Sequence, residues 1–198
     1  MKLCASFLII CALCAFLLVP ESSFAAKATI KEIDLTVSGE VFYVNALMQE
    51  AFTKKIKEAV STGAPAEFLF YLQIRNRIAP FINLTVARTT VRYTVSYDSL
   101  KKQYQGTQSV QGKDTKTLVT SNWDEIVKWV SELRRVEFPL SLIKKEKANH
   151  IRIKAEMKCL KLPFPLNQLF NLISLWNFET PWKVYWLEDE LKEELMTD

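Results

Sequence analysis

Phe68-Leu69-Phe70-Tyr71-Leu72-Gln73-Ile74-Arg75 is the stretch that decides the fold. Phe68, Phe70, Leu72 and Ile74 alternate with Leu69, Tyr71, Gln73 and Arg75, the pattern of a β-strand with one buried face. Ala79-Pro80-Phe81 turns the chain. Leu84 to Tyr97 then reads as a long second strand. Val91, Tyr93, Val95 and Tyr97 point one way, and Arg88, Thr90, Arg92 and Thr94 the other.

Working outward, Ile30 to Val37 and Val41 to Ala46 are strand-like, with a hairpin turn at Ser38-Gly39. Asp98-Ser99 turns into a more polar strand from Lys101 to Gln111. Gly112-Lys113-Asp114 leads to a short strand at Thr115 to Val119. His150 to Cys159 alternates clearly. Met48, Phe52, Ile56 and Val60 recur at helical spacing and predict a first helix, stopped by Gly63 and Pro65. Asn122 and Glu125 have the spacing of a capping box. They open a second helix whose inner face is Trp123, Ile126, Val127, Val130 and Leu133. After a loop around Pro139 and the strand to Cys159, Leu166 to Phe178 predicts a third helix. Pro181 ends it, and Trp182 to Trp186 is extended. The predicted class is α+β: an antiparallel sheet of about six to seven strands with two to three helices. A β-sandwich-like core is the alternative arrangement.

The first 25 residues read as a secretory signal peptide. Lys2 is followed by an uncharged apolar run from Leu3 to Val19, then Pro20. Ser23-Phe24-Ala25 puts small residues at positions −3 and −1 of a cleavage site. The run is 17 residues long, short of the roughly 20 that a spanning helix needs. Removal near Ala25 leaves 173 residues: a single α+β domain at 26–187 and an acidic tail at 188–198. The tail has six acids and one lysine, net −5, against +4 for the whole chain, so the rest is clearly basic. Cys4, Cys11 and Cys14 leave with the leader. Cys159 alone remains, which excludes an intramolecular disulfide.

Candidate chemistry is sparse. His150 is the only histidine. It lies nine residues from Cys159, roughly 30 Å along one strand at about 3.3 Å per residue. An odd offset puts the two on opposite faces, so they form no nucleophile pair within the strand. Cys159 shares parity with Ile151, Ile153, Ala155 and Met157 and is expected buried. His150 shares parity with Arg152 and Lys154 and is expected exposed. One His and one Cys cannot build a conventional structural zinc site. There is no Gly-x-Ser-x-Gly elbow and no glycine-rich phosphate loop. No catalytic residue, metal ligand or cofactor is expected.

Two features point to binding. Arg75, Arg77, Arg88 and Arg92 lie on the polar sides of two adjacent strands, and Arg152 and Lys154 on the polar side of a third. If the first two strands pair through the Pro80 turn, their arginines share one surface that Arg152 and Lys154 could join, a basic face suited to an anionic lipid surface. The other reading is a solvated sheet face with partners such as Glu67 and Glu156. The apolar segment from Leu166 to Trp186, with Phe170, Trp176, Trp182 and Trp186, either covers the sheet or rests in a membrane interface or partner groove. The predicted helix of 13 residues spans about 20 Å at 1.5 Å each, too little to cross a hydrocarbon core of about 30 Å. Nucleic acid is not an expected partner for an exported chain of modest net charge.

Several short motifs occur in a recognisable order. They are the Ala59 to Gly63 helix end before Pro65 and an aromatic strand, then Arg75-Asn76-Arg77, then Tyr97-Asp98-Ser99-Leu100 with Tyr104. Cys159-Leu160-Lys161-Leu162-Pro163 with Pro165-Leu166 follows, and finally Trp176 and Trp182. In this order the chain resembles the bacterial exported domain-of-unknown-function family numbered 4390. The resemblance implies a Gram-negative envelope protein with no established activity. Ile78-Ala79-Pro80-Phe81 stands where that family usually has a tryptophan after the Arg-x-Arg pair. The expectation is a non-catalytic periplasmic or secreted domain. It would act by contact with an envelope protein or the ectodomain of a membrane protein. The alternative is a peripheral lipid- or apolar-ligand-binding protein.

Overall fold

The computed structural model describes residues 28–144, 148–159 and 177–187. The predicted leader, the bulk of the predicted third helix with Phe170 and Trp176, the acidic tail and the Cys159 side chain lie outside the described residues.

The chain is α+β, with two antiparallel sheets, two α-helices and a 3-10 turn at Leu140–Leu142 among the described residues. The elements are β1 (Thr29–Ser38), β2 (Val41–Gln49), α1 (Lys54–Ser61), β3 (Ala66–Ala79), β4 (Ile82–Asp98), β5 (Gln103–Val110) and β6 (Lys113–Thr120). Next come α2 (Trp123–Ser131), β7 (Glu132–Pro139), β8 (Asn149–Cys159), β9 (Phe178–Glu179) and β10 (Lys183–Trp186). The small sheet has the order β1-β2-β7, and the large one β10-β8-β3-β4-β5-β6, with β9 also paired to β8.

The alternation in β3 sets the inner layer. Phe68, Phe70, Leu72 and Ile74 are buried, and so are Val91, Tyr93 and Val95 of β4 and Ile151, Ile153, Ala155 and Met157 of β8. Phe42, Val44, Ala46 and Met48 of β2 join them in one core with α1 and α2. Aromatic rings link the layers. Phe52 lies 4.9 Å from Phe68 and meets Trp123 edge-on at 5.9 Å, and Trp123 packs on Tyr104 at 5.2 Å. No helix among the described residues is long and apolar enough to cross a membrane.

Four expectations change. Met48 belongs to β2 and not to the first helix, which starts only after the Thr53 cap, whose Oγ1 accepts from the Ile56 N–H. Pairing with β1 carries β2 on to Gln49, and Glu50 at φ 57° breaks it. Leu133 belongs to β7, a strand absent from the sequence reading. Register slips between Val44 and Ala46, opposite a left-handed Arg135, so the buried residues Leu133, Val136 and Phe138 do not keep period two. The β5–β6 turn is Gln111-Gly112, both at positive φ, and β6 starts at Lys113. Phe178, expected to end a helix, pairs with Met157 in β9.

Gly106 of β5 leaves room for the Trp129 ring, since a Cβ there would sit 2.5 Å from its Cζ3. That ring cannot simply retreat: it stands edge-on to Tyr93 at 4.9 Å, and the Tyr93 hydroxyl accepts a 2.8 Å hydrogen bond from Gln108 Nε2. Gly106→Ala should therefore destabilise the fold by about 1–3 kcal/mol, read as a lower urea midpoint at unchanged m-value. An unchanged midpoint would show that Trp129 moves freely.

A candidate binding face on the large sheet

The outer face of the large sheet is laid out by the two ladders of β3. Gln73 stands opposite Arg88 on β4 and Arg152 on β8. One row along, Tyr71 stands between Thr90 and Lys154, and in the next Leu69 stands between Arg92 and Glu156. On the other side of the Gln73 row, Arg75 lies between Thr85 and His150. The arginines of adjacent strands and Lys154 thus share one face. β10 extends these rows, Trp186 opposite His150 and Val184 opposite Arg152.

The structure also brings the two candidate groups together. Trp182 lies over that same face, its ring centroid 4.2 Å from the Arg152 guanidinium carbon and 5.5 Å from Lys154 Nζ. Arg77 sits 4.7 Å over Trp186, whose ring lies 4.4 Å from His150. Lys154 also lies 5.2 Å over Tyr71. Such contacts each contribute about 0.5–1 kcal/mol at exposed sites. They also hold long side chains in one place. Arg152 is fixed further by Nε and Nη2, which donate to Gln73 Oε1 at 3.0 and 2.6 Å.

Charge on this face is divided. Toward the Cys159 end of β8, the cations have carboxylate partners: Arg92 with Glu67 at 2.9 Å, Lys154 with Glu179 at 2.8 Å and Lys158 with Glu156 at 2.7 Å. Burial opposes ionisation of Glu156, but hydrogen bonds from Lys158 and Tyr71 outweigh it and hold the carboxyl below its usual range. At the other end, Arg75, Arg77, Arg88 and Arg152 have no ion-pair partner among the described residues. Arg75 Nη2 donates to the Asn83 carbonyl at 3.0 Å, while its buried Nε has no hydrogen-bond partner among the described residues. Burial, then the charges of Arg75 and Arg88, lower the pKa of Arg152.

His150 corrects the sequence expectation. Its parity with Arg152 and Lys154 is as read, yet it is only 3 % exposed. The reason is β10, whose Trp186 covers the ring from the next strand. Nδ1 is buried without a hydrogen-bond partner among the described residues. Burial, then the charges of Arg75, Arg152 and Arg77, hold its pKa below the usual value. The sequence did carry a signal for the tryptophans: Trp182 and Trp186 are four apart in an extended segment, so one face receives both.

A second concavity is lined by Tyr93, Gln108, Glu125, Lys128, Trp129 and Arg134. Several of its polar groups are engaged locally, Gln108 with Tyr93 and Arg134 with Glu132. Glu125 Oε2 accepts from Thr120 at 2.6 Å, and burial pushes the Tyr93 hydroxyl up to about 12 despite its bond to Gln108. Among the described residues, no group of three or more His, Cys, Asp or Glu side chains could hold a metal ion.

His150 is protonated near pH 6.5 in the unfolded chain and only at lower pH in the folded one, so the unfolded state binds more protons between these values. Its contribution to stability is complete above about pH 6.5 and declines as pH falls toward the folded value. The urea midpoint should therefore be lower at pH 5.5 than at pH 7.5, and His150→Gln should remove that difference. The same drop in the variant would mean that another group titrates.

No curated protein and no solved structure matches the chain. A family model does match, over residues 25–185. It covers every described strand and helix up to Tyr185, and the chain belongs to the family described as Domain of unknown function (DUF4390).

Proposed function

We propose that this chain is a non-catalytic domain, exported to the periplasm of a Gram-negative cell, that works by protein–protein contact. Its outer sheet face takes an acidic surface of an envelope protein or of a membrane-protein ectodomain. The observation that carries this reading is the stacking of Arg152 and Lys154 on Trp182 and of Arg77 on Trp186. Tryptophan, tyrosine and arginine dominate the energetics of protein interfaces. Side chains already held in place lose less entropy on binding than free ones. The arginines without ion-pair partners supply the complementary charge, which favours acidic partners and speeds their encounter.

Crosslinking pull-down from a native envelope fraction tests this. The wild-type chain should recover a defined partner, and Trp182→Ala with Arg152→Gln should weaken binding by about 2 kcal/mol or more, roughly thirty-fold in Kd. A partner held equally by both chains, or none in repeated experiments, would sink the reading.

A further inference from the structure

The strands of the β3–β4 hairpin outrun their neighbours. β8 pairs with β3 only as far as Asn76, where the Arg77 N–H still reaches the Ala148 carbonyl at 2.9 Å. β5 pairs with β4 only from Val91 onward. Beyond Asn76 of β3 and its partner Leu84 of β4, the two strands pair with each other alone and run out as a short two-stranded ribbon. Its tip is apolar and uncovered. Phe81 is 96 % exposed, and Ile78, Ile82 and Leu84 are each at least half exposed. Singly, exposed apolar residues need no explanation. Four within seven positions at the end of a projection do.

Behind the tip stand Arg75, Arg77 and Arg88, which have no ion-pair partner among the described residues. The thirty residues from Phe68 to Tyr97 hold four arginines and neither Asp nor Glu. Arg77 is four positions from Phe81, so the tip reaches roughly 10 Å past it at about 3.3 Å per residue. That matches the depth of about 5–10 Å at which interfacial elements seat apolar residues while basic groups stay among the phosphates. Trp186, 43 % exposed and stacked on Arg77, lies at the level of this collar, where tryptophan favours the interface. The backbone of the ribbon is paired between its own strands, and Arg75 adds a bond to the Asn83 carbonyl, so the tip enters as a stiff unit.

We propose that the β3–β4 hairpin is a membrane-contact site that seats Phe81 and its apolar neighbours in the interface of a bilayer containing anionic phospholipid, with Arg75, Arg77 and Arg88 on the headgroup phosphates. The site is centred on the hairpin tip, whereas the partner face proposed above is centred on Trp182 and Arg152; Arg77 and Trp186 border both.

Flotation with vesicles tests it, using the chain from Ala26, which holds every described element and lacks the apolar leader. Binding is expected to vesicles containing phosphatidylglycerol and to fall on pure phosphatidylcholine. Phe81→Ser with Ile82→Ser should weaken it at least ten-fold, the scale of exposing buried apolar side chains. Arg77→Gln with Arg88→Gln should weaken it about thirty-fold at low salt and less at high salt, each cation near an anionic surface being worth about five-fold. A polarity-sensitive dye on Phe81→Cys, in a Cys159→Ser chain, should shift to the blue on binding. Trp182→Ala, the partner-face variant, should still float, so failure of one reading leaves the other visible. Three results would overturn the proposal: no binding to anionic vesicles, binding indifferent to the Phe81 and Ile82 substitutions, or a tip-dependent dimer without vesicle binding.

Discussion

β3 is hydrogen-bonded along both edges, to β4 on one side and β8 on the other, and this double pairing fixes the rest of the molecule. A strand paired on both sides cannot slip by one residue without moving every side chain to the opposite face. Phe68, Phe70, Leu72 and Ile74 would leave the core, a loss of about 1.5–3 kcal/mol each. Register is therefore strongly specified, and with it the outer rows. Gln73 must meet Arg88 and Arg152, and Tyr71 must meet Lys154. The polar face is positioned by the apolar one.

That coupling explains why the outer face tolerates so much positive charge. Near Glu67, Glu156 and Glu179 it is neutralised in pairs. In each pair one partner is solvent-exposed, and surface ion pairs contribute about 0–1 kcal/mol each, so they are not what holds the sheet together. Toward Arg75 and His150 there is no such compensation among the described residues. Arg77 and Arg152 there lean on indole rings, Arg152 also on the Gln73 amide oxygen, and burial beneath Trp186 disfavours a charge on His150. The fold carries this repulsion because the opposite side of the same strands is fully buried. Two buried nitrogens, Arg75 Nε and His150 Nδ1, have no hydrogen-bond partner among the described residues, and a buried group left so costs about 1–3 kcal/mol. Stability supplied by the core is thus used to keep one end of the face charged and rigid.

The legible part of this molecule was the part governed by period two. β3, β4 and β8 follow from alternation, and so does the side of its own strand on which each of Arg75, Arg77, Arg88, Arg92, Arg152 and Lys154 lies. What alternation alone could not give was the identity of each strand's neighbour. His150 reads as exposed until β10 is placed beside β8 and Trp186 covers it. β7 was missed for a different reason. The bulge at Arg134-Arg135 spaces Leu133 three residues from Val136, and Val130 three from Leu133. The run therefore imitates a continuing helix, although backbone at Arg135 adopts φ 55°. Met48 failed likewise: its spacing to Phe52 and Ile56 is helical, yet pairing with β1 keeps it in β2.

The exposed hairpin tip shows the same limit from the other direction. Pro80 marked the turn in the sequence, but a turn between two strands is ordinarily short and polar. What makes this one unusual is a length mismatch. β3 has 14 residues and β4 has 17, whereas β8 has 11 and β5 has 8. The excess must project at one end of the sheet or the other, and where it emerges follows only from the registers. They send it past the Arg75 end, where charge is least compensated. Strand length and register together thus set apolar exposure beside cations that have no ion-pair partner among the described residues. Shortening β3 and β4 to match their neighbours would remove both Phe81 and the Arg77 contact with Trp186, while leaving the buried rows from Ala66 to Ile74 unchanged.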